Sequence, residues 1–471
     1  MFGEWWNTDI SVALTLFVQL LLIAVSISLT IHILLNKSDP KSSLMWIALV
    51  WFAPVFGAAF YVLFGINRIT RRAQRLIQHE ELEIEPLAEQ HDLDFADDPW
   101  IEFRRLGNKV THSSRCQGND IEILQGIENI LETMINAVKS AKKTIVLSTY
   151  IFRRDDLGVN FADALVSADQ RGVDVKVLLD GVGNGFFRSK TYRQLNAGGV
   201  DVRRFLHSVW PWRMPLMNLR NHTKLLVVDS HTAFTGSMNI GRVRNLETHF
   251  KIRGAVIKQF MKAFEHHWVL AGGSSLPLSF QGPFNKDVGK VVSRGILSGP
   301  IYKRERLRWI ILGAVNAATK NIRIVTPYFI PDQGLLSGLV LAALKGVKVE
   351  ILLPEKSNYA FADWASHRQI KDLVRAGCHI YHRPDIFDHS KLMTVDGHWA
   401  LLGSSNWDAR SLRLNFEFDV ESESIEFVYE LDELIRSRRD ASKALTWEEF
   451  ESRSPFLKLR DATARLLLPY L

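Results

Sequence analysis

Apolar positions along this chain change their spacing twice, and each spacing predicts a different kind of element. From Ile10 to Leu35 they form a nearly unbroken run without charge. That exceeds the roughly 20 residues a helix needs to cross a bilayer. A polar loop from Asn36 to Ser43 contains the turn signal Asp39-Pro40, and a second apolar run extends from Leu44 to Ile66. Pro54 and Gly57 lie inside it, which membrane helices tolerate. Trp5, Trp6, Trp46, Trp51 and Tyr61 are amphipathic rings, and those near the run ends suit the membrane interface. The pattern predicts a hairpin of two transmembrane helices over residues 1–70. A cleaved signal peptide fits poorly, because Glu4 and Asp9 stand where a basic region belongs and two runs occur.

Residues His79 to Asp98 are rich in Glu and Asp with little periodicity, which predicts a linker over 71–119. From about Asp120 the pattern becomes α/β and repeats itself. A helical stretch, Ile127 to Ala141, precedes the strand-like Lys143 to Phe152; Asn321 to Ile330 matches that strand. Arg171 to Leu179 likewise matches Lys345 to Leu353. The predicted fold class is α/β: two fused repeats, 120–290 and 291–471, preceded by a transmembrane helical hairpin. Two homologous halves pack about a pseudo-two-fold axis, like an isologous dimer.

A longer motif recurs inside the repeats. His222-Thr223-Lys224, four residues, Asp229, six residues, then Gly236-Ser237-Met238-Asn239 is one copy; His389-Ser390-Lys391, Asp396 and Gly403-Ser404-Ser405-Asn406 is the other. The alternation predicts His and Lys on one face of a strand. Pseudo-two-fold packing would turn both motifs into a single cleft. Zinc is disfavoured, since Lys is not a useful ligand and His, Cys and carboxylates do not cluster at ligand spacing. Asp180-Gly181-Val182-Gly183-Asn184-Gly185 mimics a phosphate loop but lacks the dinucleotide spacing, and reads as a flexible turn.

Two histidines, two lysines and two asparagines around one point suit a phosphodiester. Lys224, Lys391, Asn239 and Asn406 can stabilise charge on the equatorial oxygens without metal or cofactor. One histidine can attack phosphorus while the other moves the proton of the alcohol. Asp229 and Asp396 complete each candidate set and are expected to pin local structure. Ser237 and Ser404 are candidates for phosphate binding. Glu247 and Glu417 follow each motif and are candidates to fix a histidine tautomer.

The formal net charge of +7 favours an anionic partner without choosing one. Two distant cysteines, Cys116 and Cys378, give no disulfide framework. Arg68, Arg71, Arg72 and Arg75 follow the second apolar run, while the hairpin loop has only Lys37 and Lys41. The positive-inside rule then puts the catalytic region in the cytoplasm.

The doubled motif resembles the phospholipase D superfamily. The membrane hairpin, Thr326 to Pro331, and Arg410-Ser411-Leu412-Arg413-Leu414-Asn415-Phe416-Glu417 resemble bacterial cardiolipin synthases more narrowly. The resemblance implies condensation of two phosphatidylglycerol molecules into cardiolipin and glycerol at an inner membrane. It makes His222 the nucleophile and His389 the acid and base. Where family members often have Glu-Gly-Pro after the first motif, this chain has Arg253-Gly254-Ala255. A lipid substrate also agrees with the apolar loop Phe205 to Met217 and with a C-terminus, Pro455 to Leu471, that mixes leucines with Lys458, Arg460 and Arg465. Competing readings are a phospholipase D hydrolase, a phosphatidylserine-type synthase, a nuclease relative and a silent membrane scaffold. The hairpin and the lack of a basic stripe with stacking aromatics argue against nucleic acid.

Overall fold

The computed structural model describes residues 2–37, 39–65, 100–185, 187–207, 219–282, 284, 287–302 and 305–466. The four arginines after the hairpin, the acidic stretch His79 to Asp98, residues 208–218 of the apolar loop region and residues 467–471 lie outside the described residues. Two compact units are present, Met1–Arg72 and Ala73–Leu471.

In the first unit a long helix, Phe2–Asn36, turns back at Asp39, whose carboxylate accepts a hydrogen bond from Ser42 N at 2.9 Å. Pro40 begins the next helix, where its missing N–H costs nothing. That second arm is not one continuous helix. Pro54 cannot donate to the preceding turn, so the arm divides into Pro40–Phe52, Pro54–Phe60 and a π-helical turn, Tyr61–Gly65. Val12–Asn36, with 25 residues, is the one described helix long and apolar enough to cross a membrane by itself. Ile33, Val50 and Tyr61 form the buried seam between the arms. Tyr61 is therefore not an interface ring: it is 1% exposed, and its hydroxyl lies 2.9 Å from His32 Nδ1. A phenol inside an apolar hairpin needs such a partner. Leu14, Phe17, Leu20 and Leu21 point outward, as a lipid-facing surface requires.

The second unit is a doubled α/β structure. The first repeat gives strands β1 (Cys116–Gln125), β2 (Thr144–Thr149), β3 (Asp174–Asp180), β4 (Asp201–Phe205), β5 (Leu225–Val228), β6 (Thr232–Gly236) and β7 (Thr248–Arg253). The second gives β8 (Val291–Ser298), β9 (Asn321–Val325), β10 (Lys348–Pro354), β11 (His379–Arg383), β12 (Leu392–Val395), β13 (Trp399–Gly403) and β14 (Glu417–Glu423). They join in one sheet ordered β4-β3-β2-β5-β6-β7-β1-β8-β14-β13-β12-β9-β10-β11, with a short β15 (Lys443–Ala444) at the edge. Each half has the same order, reversed about the central pair. That pair, β1 and β8, is antiparallel with Asn119 opposite Val291, as a two-fold axis between them demands.

Every residue of β2 and β5 is buried, because helices cover both faces of the sheet. Ile130, Met134 and Val138 of helix Ile127–Ser140 pack with Ile145, Leu147 and Leu226 on one face. Helix Ile257–Leu270 lies against β2, β4 and β5. The predicted linker over 71–119 is corrected at its end: Ile101–Thr111 is a helix. Trp100 and Phe103 enter the core of the second repeat with Ile310, Ala314 and Trp399, following the helical spacing of Phe103, Gly107 and Val110.

Candidate active site

Each His-x-Lys stands in the extended lead-in to a central strand, one residue short of it: Lys224 precedes Leu225 and Lys391 precedes Leu392. The two lead-ins are tied across the repeats. His222 N donates to Phe416 O at 2.9 Å, and His389 N donates to Leu246 O at 2.9 Å. Phe416 and Leu246 are the residues before Glu417 and Glu247, so each backbone bond delivers the other repeat's carboxylate. His222 Nδ1 lies 2.9 Å from Glu417 Oε2, and His389 Nδ1 lies 3.0 Å from Glu247 Oε1. The glutamates serve the opposite histidines, an exchange that the order of residues along the chain does not reveal. With both Nδ1 atoms engaged, both Nε2 atoms are left for chemistry.

Both imidazoles line one cleft of about 580 Å³, together with Asn239 and Asn406. The lysines lie behind them: Lys224 Nζ donates to His222 O at 2.9 Å and Lys391 Nζ to His389 O at 2.5 Å. Ser237 and Ser404 do not face the cleft. Their hydroxyls donate to Glu247 Oε2 and Glu417 Oε2, each at 2.5 Å, and so position the carboxylates. Asn406 Oδ1 is buried without a hydrogen bond among the described residues, whereas Asn239 Oδ1 accepts from Ile151 N at 3.2 Å.

Asp229 and Asp396 are not brought to the histidines. Each sits past the far end of its strand in a left-handed conformation, φ 52° and φ 54°. Asp229 accepts from the backbone N–H groups of Lys142, Lys143 and Thr144 at 2.7–2.9 Å, where the chain enters β2. Asp396 does the same for Thr319, Lys320 and Asn321 at 2.8–2.9 Å. Asp229→Ala should therefore cost stability, about 1–2 kcal/mol, by removing the bonds that fix the entry to β2, above all the one to Thr144 N. Denaturant melts alongside turnover per folded molecule check this, since a role in catalysis would lower turnover without a matching loss of stability.

Sequence reasoning missed Tyr150 and Tyr328, which line the cleft just after β2 and β9, one residue out of step between the two copies. Tyr150 stacks edge-on to His222 with ring centroids 4.9 Å apart. Arg153, Arg220 and Arg410 also face the cleft. The glycine turn is a structural neighbour: Asp180 Oδ1 accepts from Val182 N and Gly183 N, and Oδ2 accepts from Asn221 N at 2.8 Å.

Burial sets the charges. It drives His222 well below its ordinary range, with the nearby Lys224 and Lys391 adding to the effect. Burial also lowers His389, and the adjacent Glu247 carboxylate opposes that fall. Burial pushes Glu247 up, but His389, Lys391 and Ser237 outweigh it and hold the carboxyl at about 2. Burial wins at Glu417, raising it to about 7 against the pull of Lys224 and Ser404. The two symmetric pairs thus differ. His389 sits against a fixed anion, while His222 is kept neutral.

Burial lowers Lys224 to about 8 and Lys391 to about 7, each partly restored by the carboxylates. An anion that reached these lysines would raise both, because it favours their charged form. Affinity for dimethyl phosphate, a diester anion at every pH used, should be full below pH 7. It should weaken from pH 7 to 9, by up to about tenfold per unit for each lysine that must take up a proton. Calorimetry in buffers of different ionisation heat reads the affinity and the proton uptake together; a flat profile rules the linkage out.

A doubled α/β sheet with two His-x-Lys stretches at one cleft is the architecture of phospholipase D-like enzymes. The family described as cardiolipin synthase, PLD-like domain, matches residues 134–268 and 311–439, and a phospholipase D-nuclease N-terminal family matches 24–65. A cardiolipin synthase of Clostridium perfringens (strain 13 / Type A) is 30% identical, aligned over 92% of this chain and 95% of its own length. The major cardiolipin synthase ClsA of Bacillus subtilis (strain 168) is 30% identical over 93% and 95%. Among solved structures, phosphatidylserine synthase of Haemophilus influenzae Rd KW20 is similar in fold. Its TM-score is 0.61 at 16% identity, covering 79% of this chain and 100% of that one. The chain belongs to the phospholipase D-like cardiolipin synthase family. It is a phospholipid phosphatidyltransferase associated with membranes.

Proposed function

We propose that the protein condenses two phosphatidylglycerol molecules into cardiolipin and glycerol through a phosphohistidine on His222. The observation that carries this reading is the pair of imidazoles on one cleft, each held at Nδ1 by the other repeat's glutamate. His222 Nε2 attacks phosphorus, and the bond from phosphorus to the glycerol oxygen breaks. His389 Nε2 supplies the proton that glycerol takes away. The hydroxyl of the second phosphatidylglycerol then gives its proton to His389 as its oxygen displaces His222. Lys224, Lys391, Asn239 and Asn406 hold the equatorial oxygens.

Both arms of the N-terminal hairpin span the membrane in this reading, with the catalytic unit on the cytoplasmic side, as the arginines from Arg68 to Arg75 favour. Removing residues 1–70 should move the protein from the membrane pellet to the supernatant. Retention in the pellet after a carbonate wash counts against the anchor.

Mass analysis of products from purified protein tests the reaction, first with phosphatidylglycerol alone and then with added phosphatidylethanolamine. Cardiolipin with one glycerol per molecule supports the synthase. Phosphatidic acid as the main product makes the enzyme a hydrolase instead. Glycerol release without ethanolamine release in the mixed sample keeps phosphatidylglycerol as donor.

A further inference from the structure

The cleft is symmetric at its two histidines and asymmetric beside them. Two residues before His222 stands Arg220; two before His389 stands Phe387, packed on the His389 ring at 5.9 Å between centroids. Four residues past Asn406 stands Arg410; four past Asn239 stands Val243. Counted outward from the motifs, Arg220 and Arg410 thus stand where the other copy has apolar residues, and Arg153 is the third cation lining the cleft.

The two arginines are neighbours. Arg220 O accepts from Phe416 N at 2.8 Å, and Arg410 O accepts from the adjoining Asn415 N at 2.9 Å. Both side chains line the cleft, and each charge reaches Tyr150, the ring that stacks on His222. Arg220 Nη1 is buried and makes no hydrogen bond among the described residues. Burial, followed by the like charge of Arg220, lowers Arg410 below its ordinary range, and Tyr150, Asp408 and Asp180 offset part of that fall. Two like charges held together beside a cleft, with a buried donor unused, are relieved by an anion between them. The phosphorus under attack is already served by the histidines, lysines and asparagines. The arginines stand one aromatic ring farther along.

We propose that Arg220 and Arg410 clamp a second phosphodiester, the unreacting phosphate of the alcohol that accepts the phosphatidyl group. This rests on the synthase reading above and deepens it. Cardiolipin carries two phosphates on one glycerol bridge, and in this proposal the clamp holds the second of them while the acceptor hydroxyl meets His222-bound phosphorus. An acceptor without phosphate, such as water or a simple alcohol, gains nothing from it. The pair therefore selects the acceptor.

The full chain in mixed micelles, given phosphatidylglycerol and butanol together, tests the clamp by the ratio of cardiolipin to phosphatidylbutanol. Arg410→Gln and Arg220→Gln should each lower that ratio by about tenfold to a hundredfold, through the KM for acceptor lipid. Arg410→Lys should lower it less. A ratio unchanged within twofold, with both products falling together, overturns the clamp. Thermal melts of the Lys variant, which keeps the charge, separate this from misfolding. Adding water-soluble glycerophosphoglycerol as acceptor shows the source of the anion: equal losses mean any phosphodiester is read, and a loss confined to the lipid means the clamp reads a phosphate held at the membrane. Wild-type enzyme that makes phosphatidylbutanol but no cardiolipin fails the synthase reading itself, before the clamp is reached.

Discussion

His222→Ala should abolish cardiolipin formation, by at least about 10⁴-fold, while the fold is kept. The magnitude follows from removing the covalent path: in this reading His389 is engaged as acid and base, and the phosphatidyl unit passes from donor to acceptor on His222. A 10⁴-fold loss corresponds to about 5.5 kcal/mol of transition-state stabilisation. The fold should survive because the backbone bond from residue 222 to Phe416 does not involve the side chain. What the variant does lose is one partner of Glu417, a buried carboxyl already raised to about 7 by burial and still served by Ser404 and Asn415. Protonation satisfies that group without a large penalty. His222→Asn offers Glu417 a donor in the same place and guards against a loss that is only structural. Enzyme quenched in detergent at neutral pH with phosphorus-labelled phosphatidylglycerol supplies the second readout, since the wild type should retain a label that acid then removes and that both variants lack. Turnover above the background of either variant would remove His222 from the covalent role.

Much of this site can be read from spacing alone. Two copies of His-x-Lys with the same offsets to Asp and Gly-Ser-x-Asn, inside a repeated α/β unit, call for one cleft, and both imidazoles line one. Spacing fails where the two copies cross. A one-dimensional repeat pairs Glu247 with His222 by proximity, whereas the bridge between residues 245–246 and 387–388 hands it to His389. Nothing in chain order distinguishes those options. The aspartates do what the sequence reading expected of them, pinning local structure. An alternating strand puts residues seven apart at opposite ends, so a motif that is contiguous in the sequence spans the sheet, and Asp229 ends up fastening the turn behind β2. The hairpin shows another limit. Hydropathy sees Leu44 to Ile66 as one run, but Pro54 breaks the backbone ladder and Tyr61 turns inward to reach His32. Helix Ile101–Thr111 was hidden by the acidic stretch before it, though its apolar stripe is plain once Trp100 has a core to enter.

His389→Ala should divide the reaction in two. The residue is asked to protonate a poor leaving group, the glycerol alkoxide, and later to take a proton from the acceptor. Glu247, held at about 2, gives it the anionic neighbour an acid needs, an advantage that His222 lacks beside Glu417. Removing such a group costs about 10²–10⁴-fold when the leaving group needs protonation and little when it does not. With phosphatidylglycerol the variant should therefore be nearly inactive. With a phosphatidyl ester of p-nitrophenol, whose anion leaves unaided, it should still release one equivalent of p-nitrophenol per enzyme in a rapid burst. The second half then stalls, because nothing activates the acceptor, and the phosphatidyl group should remain on His222. Intact-protein mass spectrometry after the burst reads the adduct directly, and His222→Ala provides the blank. A His389→Ala enzyme that shows no burst with the activated ester, or turns it over at the wild-type rate, would contradict the division of labour. A burst in His222→Ala but not in His389→Ala would reverse it, placing the nucleophile in the second repeat beside the fixed charge of Glu247.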